Sequence, residues 1–322
     1  MAQVLRHRHP VSDSFAPRHQ RAILSSRSRS GQTSELSTTS IPFIDPHQVL
    51  VKTSHVALNA YDGQSYAGDD LKVLGRDGVG LVAAIGSSVT RLKVGQRVRT
   101  LRSFVLADEQ IWFCSNSSLT GSGAFQDYSV HNSSEVGILP DDLSDEGGAA
   151  LGSGLLTAGV ALFGTLGLQL HSTIARKDTL SEVDGPWFLV WGGAGITGVY
   201  MIQLAKLCGY RVICAASPLN HAYVQSLGAE VVLDRWKDEE ELVHAIRSAT
   251  ADSVSLASGE GDRADLLGRH CCRQCRVQNC RTLFENSSRL EDLEQWQPLA
   301  AVRQLPETET SPYRRESRGT RD

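Results

Sequence analysis

Three glycines, Gly193, Gly195 and Gly198, stand in the pattern G-x-G-x-x-G just after the apolar run Phe188-Leu-Val-Trp191. The spacing suits a phosphate-binding turn. The first glycine allows a tight turn, the second lets the backbone approach a pyrophosphate, and the third lets a helix pack closely on the strand. Gly192, Ala194, Ile196 and Thr197 complete the loop. The helix that follows offers free N–H groups and the positive end of its dipole to an anion. Alone, such a glycine pattern is common; placed after a strand and at the head of a helix inside a βαβ unit, it reads as a dinucleotide fingerprint.

The choice of dinucleotide is made at the end of the second strand, about 20 residues beyond the fingerprint, where NAD binders carry an acid for the ribose hydroxyls. Here the segment is Ser217-Pro-Leu-Asn220-His221. Ser217 and Asn220 can donate hydrogen bonds to a 2′-phosphate, and no carboxylate in that segment repels it, so NADPH is the expected cofactor. Ser217 can also serve as a helix cap, a role compatible with the first.

The elements that must hold these residues follow from the pattern. Ser144 predicts an N-cap, with Asp145 and Glu146 favoured by the helix dipole in the first turn, opening one or two small-residue helices over 147–162. Strands are expected at 188–191, 210–216 and 228–234, and helices from the glycine loop to Leu207, at 221–227 and at 239–250. That alternation is the rhythm of a doubly wound parallel sheet. Upstream, residues 49–59, 78–86, 94–99 and 123–130 are short, β-rich and punctuated by glycine, which predicts a compact barrel-like β domain.

Both ends of the chain break this texture. Residues 1–40 are rich in Arg, His, Ser and Thr, with Asp13 the only acid before Glu35. The composition is that of a mitochondrial presequence, but Pro10 and Pro17 interrupt it and no amphipathic helix stands out. Residues 1–19 are therefore read as a disordered leader, with a candidate first strand over 20–25. Past Ala257 the rhythm stops: from Ser258 to Asp322 there are eleven arginines, no lysine and no isoleucine. Few periodic apolar positions remain, which argues against a packed core there.

The whole chain has 322 residues, 41% hydrophobic and 21% charged, with a net charge of -4. That length suits two domains, and the charge gives no general pull toward nucleic acid or an anionic membrane. No apolar run is long enough to span a membrane, and no secretory signal opens the chain. The seven cysteines read as reduced thiols of a cytoplasmic protein, a mitochondrial address being the alternative. Cys272, Cys275 and Cys280 match no standard zinc-finger spacing.

Taken in order, the β domain, Leu155-Leu-Thr-Ala-Gly159, Val190-Trp-Gly-Gly-Ala-Gly-Ile-Thr-Gly198, Gln203-Leu-Ala-Lys-Leu-Cys-Gly-Tyr210 and Ser226-Leu-Gly-Ala-Glu230 resemble the medium-chain dehydrogenase/reductase superfamily. In texture they are similar to its zinc-free fungal trans-enoyl reductases, which partner polyketide synthases. The resemblance implies a GroES-like catalytic domain (20–145) and a Rossmann NADP-binding domain (146–257) that is truncated in its C-terminal half, followed by an aberrant tail (258–322). It implies NADPH-dependent reduction of an α,β-unsaturated carbonyl compound, free or carrier-bound. The alternatives are a quinone or carbonyl reductase of the same superfamily and a catalytically silent nucleotide-binding protein.

Zinc-dependent relatives carry a ligand cysteine in the segment equivalent to 57–62 and a Gly-His-Glu near 74–78. This chain has Ala-Leu-Asn-Ala-Tyr-Asp and Leu-Gly-Arg-Asp-Gly there, with no thiolate or imidazole, so no metal is expected. Similarity places Asn59 and Asp62 beside the nicotinamide and Thr157 in contact with the cofactor. Asn59 can also be a turn residue, and Thr157 a packing residue. Arg235 stands where relatives commonly have tyrosine, and an arginine there can pair with a 2′-phosphate.

Overall fold

The computed structural model describes residues 18–28, 31–59, 62, 72–101, 105–107, 110–112, 121–168, 185–259 and 276–279. Strands β1 (His19–Ser28) and β2 (Gly31–Ser40) form an antiparallel hairpin. After β3 (Gln48–Ala57), the short β4 (Lys72–Val73) pairs back onto β1. Next come β5 (Asp77–Ile85), β6 (Arg97–Leu101), the hairpin of β7 (Val105–Ala107) with β8 (Gln110–Trp112), β9 (Tyr128–Asn132) and β10 (Val136–Ile138). A five-stranded antiparallel sheet runs β10-β6-β5-β3-β9 around a core of Val49, Val51, Val82, Leu92, Val98 and Val136. The hairpin is tied to this domain where the Ile23 N–H donates to Phe125 O at 2.9 Å and Arg21 pairs with Asp127 at 3.0 Å.

The expected first strand at 20–25 is thus longer and has a partner the apolar pattern hides. The polar β2 carries an exposed Leu36. An edge strand is held by backbone bonds, and its threonines suit an extended backbone without burying anything.

Helix α1 (Asp145–Ala150) starts as expected, with Ser144 Oγ accepting from the Gly147 N–H at 3.1 Å. Helix α2 (Ser153–Gly159) then runs into a π-helical turn over Val160–Thr165. Beyond it lies the parallel sheet: β11 (Trp187–Trp191), α3 (Ile196–Leu207), β12 (Arg211–Ala216), α4 (His221–Ser226), β13 (Val231–Asp234), α5 (Glu239–Thr250), β14 (Val254–Gly259) and β15 (Arg276–Asn279). Strand β11 is buried on both faces. Phe188 and Val190 pack with Met201 and Leu204 of α3, whereas Trp187, Leu189 and Trp191 pack with Leu242 and Ile246 of α5. Helices therefore cover opposite faces of the sheet.

Its strand order is β13-β12-β11-β14-β15. The order reverses between β11 and β14, and ligands of such sheets bind at the carboxyl ends of the strands beside that switch point. One sequence expectation needs correction. The sheet does not stop at Ala257: β14 continues to Gly259, and β15 pairs with it in parallel from Leu256↔Arg276 to Gly259↔Asn279. Arg-Val-Gln-Asn has no apolar period to announce a strand, because backbone pairing to β14 is what makes it one. Residues 1–17 and the cysteines at 272, 275 and 280 lie outside the described residues. No helix among the described residues is long and apolar enough to cross a membrane.

Candidate functional site

The glycine loop leaves β11 through Gly192, which turns the chain at φ +76°, where side chains are rarely tolerated. The N–H groups of Gly192 and Gly193 both donate to Ala215 O, at 3.0 and 3.1 Å, pinning the loop to the end of β12. The tight turn thus belongs to Gly192 rather than to the first fingerprint glycine. Gly193 meets a packing demand instead, since a Cβ there would lie 2.0 Å from Cys214 Sγ. A Cβ on Gly198 would come within 2.4 Å of Gly192 O and 2.7 Å of Gly193 Cα, the close helix–strand approach expected of the third glycine.

Gly195 is exposed, and a Cβ there would meet only Gly192 O, at 3.3 Å. It caps α3 in an extended conformation with no side-chain cap bond. The first-turn N–H groups of Ile196, Thr197 and Gly198 have no intrahelical acceptor. Ala194 is half-buried, Ile196 is exposed and Thr197 is buried. A cradle open above Gly195, with an uncapped twelve-residue helix behind it, suits a phosphate.

The second expected cluster assembles where β12 and β13 end. Ala216 and Asp234 are register partners, and the Arg235 N–H donates to Ala216 O at 3.1 Å, so Ser217 and Arg235 follow side by side. Ser217 and Asn220 both occupy N-cap positions, yet neither side chain makes a cap hydrogen bond. The Arg235 guanidinium lies 4.7 Å from the ring centre of the exposed Trp236. Asp234 turns its Oδ1 to the Trp236 N–H, at 3.0 Å, within its own turn.

On the β-domain side, Asn59 and Asp62 form a small closed turn. The Asn59 N–H donates to Asp62 Oδ2 at 2.7 Å and the Asp62 N–H to Asn59 O at 3.0 Å. Asp62 is buried and holds the Asn59 backbone. Asn59 is both a turn residue and a tethered side chain, its Nδ2 donating to Asp77 Oδ2 at 2.9 Å. Asp77 also accepts from the Ser153 N–H and the Ser153 Oγ, each at 2.9 Å. The Thr157 hydroxyl donates to Ser153 O at 2.7 Å. The three residues expected at the reacting end therefore belong to one network, joined by two that sequence reasoning did not assign, Asp77 and Ser153.

Burial pushes the Asp77 carboxyl up, with Asp62 adding to the rise, while the bonds from Ser153 and Asn59 oppose it. Burial pushes the Arg99 guanidinium down, against the attraction of Asp77 and Tyr200. The network also touches the glycine loop: a Cβ on Gly154 would lie 2.6 Å from Ile196 Cγ1. Among the described residues no three His, Cys, Asp or Glu side chains gather as metal ligands.

Residues 45–141 match the alcohol dehydrogenase GroES-like domain. The trans-enoyl reductase tazE of Aspergillus terreus is 34% identical over 220 residues, which are 66% of this chain and 67% of that protein. The chain belongs to the trans-enoyl reductase family. The trans-enoyl reductase caaB of Aspergillus niger is 33% identical over 252 residues, 77% of this chain and 65% of its own length. The chain thus spans about two thirds or less of the curated trans-enoyl reductases it matches. An alcohol dehydrogenase superfamily protein from Novosphingobium aromaticivorans shares the fold, with a TM-score of 0.66 at 21% identity, covering 88% of this chain and 84% of its own. The glycine loop of this trans-enoyl reductase family member lies in the parallel-sheet half, and the Asn59–Asp77 pair in the GroES-like half.

Proposed function

We propose that this chain binds NADPH across the carboxyl edge of its parallel sheet and reduces the carbon–carbon double bond of an enoyl thioester presented by a polyketide synthase. The observation that carries the cofactor reading is the side-by-side placement of Ser217 and Arg235 at the ends of β12 and β13, close to a glycine cradle left open at Gly195. A hydroxyl and a guanidinium carried on neighbouring strand ends are suited to a 2′-phosphate, and Asn220 adds a side-chain amide that makes no capping bond. The pyrophosphate would rest on the N–H groups at the start of α3. The enoyl reading is supported by the relatives' names.

NADPH, when bound, supplies the hydride that adds to the β-carbon of the substrate, after which a proton adds at the α-carbon. The chain's own residues bind and orient. Thr157 has a single hydroxyl proton and spends it on Ser153 O, so it offers any further partner lone pairs only. Asn59 spends one of its two amide protons on Asp77 and keeps the other, along with its carbonyl oxygen. An oxyanion that builds up during reduction needs donors. Of the two residues Asn59 can supply one and Thr157 cannot.

The test is consumption of NADPH with crotonyl-N-acetylcysteamine and with the same acyl group on a carrier domain. Thioester-dependent oxidation with formation of the saturated product is expected. Turnover of quinones without thioester reduction would move the reading to a quinone reductase. Nucleotide binding with no turnover of either would leave a binding protein.

A further inference from the structure

The network at Asp77 has a feature that hydride chemistry does not by itself demand. One carboxylate, 2% exposed, receives donors from two structural units. Asn59 approaches from the end of β3, and Ser153 from the start of α2, which packs on α3. The two Ser153 donors are the backbone N–H and the hydroxyl, so Asp77, 76 residues away in the chain, does the work of an N-cap for α2. The residue in the cap position, Gly152, has no side chain to do so, and a Cβ on it would lie 2.1 Å from Asp77 Oδ1. Asp62, Arg99 and Tyr200 are the other ionisable groups whose charge is felt here.

Orientation follows from donor and acceptor accounting. Asp77 Oδ1 and Oδ2 accept all three bonds, from Asn59 Nδ2, the Ser153 N–H and the Ser153 Oγ, so the Asn59 amide turns its NH2 to Asp77 and its Oδ1 away. Because Ser153 is held by Asp77, its carbonyl is fixed one helical turn below Thr157 and takes the Thr157 proton. The polarity that Asn59 and Thr157 present is thereby set by a carboxyl group that is itself buried.

We propose that Asp77 is the positioning residue of this network: its buried carboxyl group fixes the Asn59 amide from one side and Ser153 from the other, so that Asn59 and Thr157 present acceptors to the carboxamide end of a nicotinamide. The inference rests on the NADPH reading above, and the experiment separates the two. The probes are NADPH and 2′,5′-ADP, which carries the adenine and 2′-phosphate but no nicotinamide, titrated by calorimetry against the parent chain, Asp77→Asn and Ser153→Ala. An amide at residue 77 places an NH2 among groups that are themselves donors, so the network must rearrange.

In Asp77→Asn, affinity for 2′,5′-ADP stays within twofold of the parent while NADPH binding weakens fivefold or more. Ser153→Ala, which removes one bond and no charge, shows the same split at twofold or more and is the variant read if Asp77→Asn does not fold. Unchanged affinity for both probes, or an equal fall in both, overturns the positioning role. A parent chain that binds neither probe overturns the NADPH reading itself, and the inference with it.

Discussion

The sulfur of Cys214 fills the space that a side chain on Gly193 would need, 2.0 Å from where the Cβ would stand. The next neighbours of that Cβ, Ile202 Cδ1 at 3.2 Å and Cys214 Cβ at 3.5 Å, leave more room. Gly193→Ala should therefore lower the unfolding free energy by about 1–3 kcal/mol, the usual cost of overpacking. Pairing it with Cys214→Ala should recover part of that loss, giving favourable coupling in a double-mutant cycle read by denaturant unfolding. Purely additive losses would put the crowding somewhere other than the sulfur.

Gly195 makes the opposite case. It sits at φ -72° with only Gly192 O, at 3.3 Å, near a hypothetical Cβ. Gly195→Ala should leave the melting temperature almost unchanged, as surface substitutions generally do within about 0.5 kcal/mol. The added methyl would stand in the space a pyrophosphate must enter, so NADPH binding should weaken tenfold or more. An alanine variant that binds as tightly as the parent would mean that the phosphates lie elsewhere.

Burial pushes the Cys208 and Cys214 thiols up to about 12 each. Only the thiolate is nucleophilic, so both should resist maleimide on the native chain at pH 8 and react once it is unfolded. Peptide mapping by mass spectrometry reads each cysteine separately. Rapid native labelling of Cys214 would contradict the tight contact beneath the glycine loop.

Arg97 reaches from β6 to Asp145 at the start of α1, at 2.7 Å, and its hydrogen bonds hold that carboxyl below the usual range. A depressed carboxylate stabilises the fold above its unfolded value and loses that contribution as pH falls through its folded value. Asp145→Asn should accordingly be less stable than the parent at pH 7, and the gap should close as the pH drops below about 3.9, the ordinary aspartate value. The side chain is 28% exposed, so the effect is modest. Thermal melts across that window give the comparison, and a gap that widens in acid would reverse the sign.

The parallel sheet was legible because its signals are local and periodic. The run 188–191 is continuous and apolar, the helix expected at 239–250 has Asp238 as its cap and three glutamates in its first turn, and the glycines fall at fixed offsets. Strands β2 and β15 were not, because polar edge strands are defined by the backbone of a neighbour. The π-helical turn at Val160–Thr165 has no apolar period that distinguishes it from the α-helix before it. Within the candidate site, Asn59, Asp62 and Thr157 could be singled out by resemblance alone. The contact that joins them could not, since Asp77 and Ser153 are 76 residues apart and an aspartate after an arginine reads as a surface pair until the fold buries it.

The most direct measurement is the affinity of the full chain for NADPH against NADH, which differ only in the 2′-phosphate, in the parent and in Arg235→Ala. Charge-assisted hydrogen bonds contribute about 1.5–3 kcal/mol each, and about 1.4 kcal/mol is a tenfold change. The parent should prefer NADPH by tenfold or more, and Arg235→Ala should erase most of that preference by weakening NADPH while leaving NADH unchanged. Equal affinities in the parent, a preference for NADH, or a preference for NADPH untouched by Arg235→Ala would contradict the placement of the 2′-phosphate between Ser217 and Arg235.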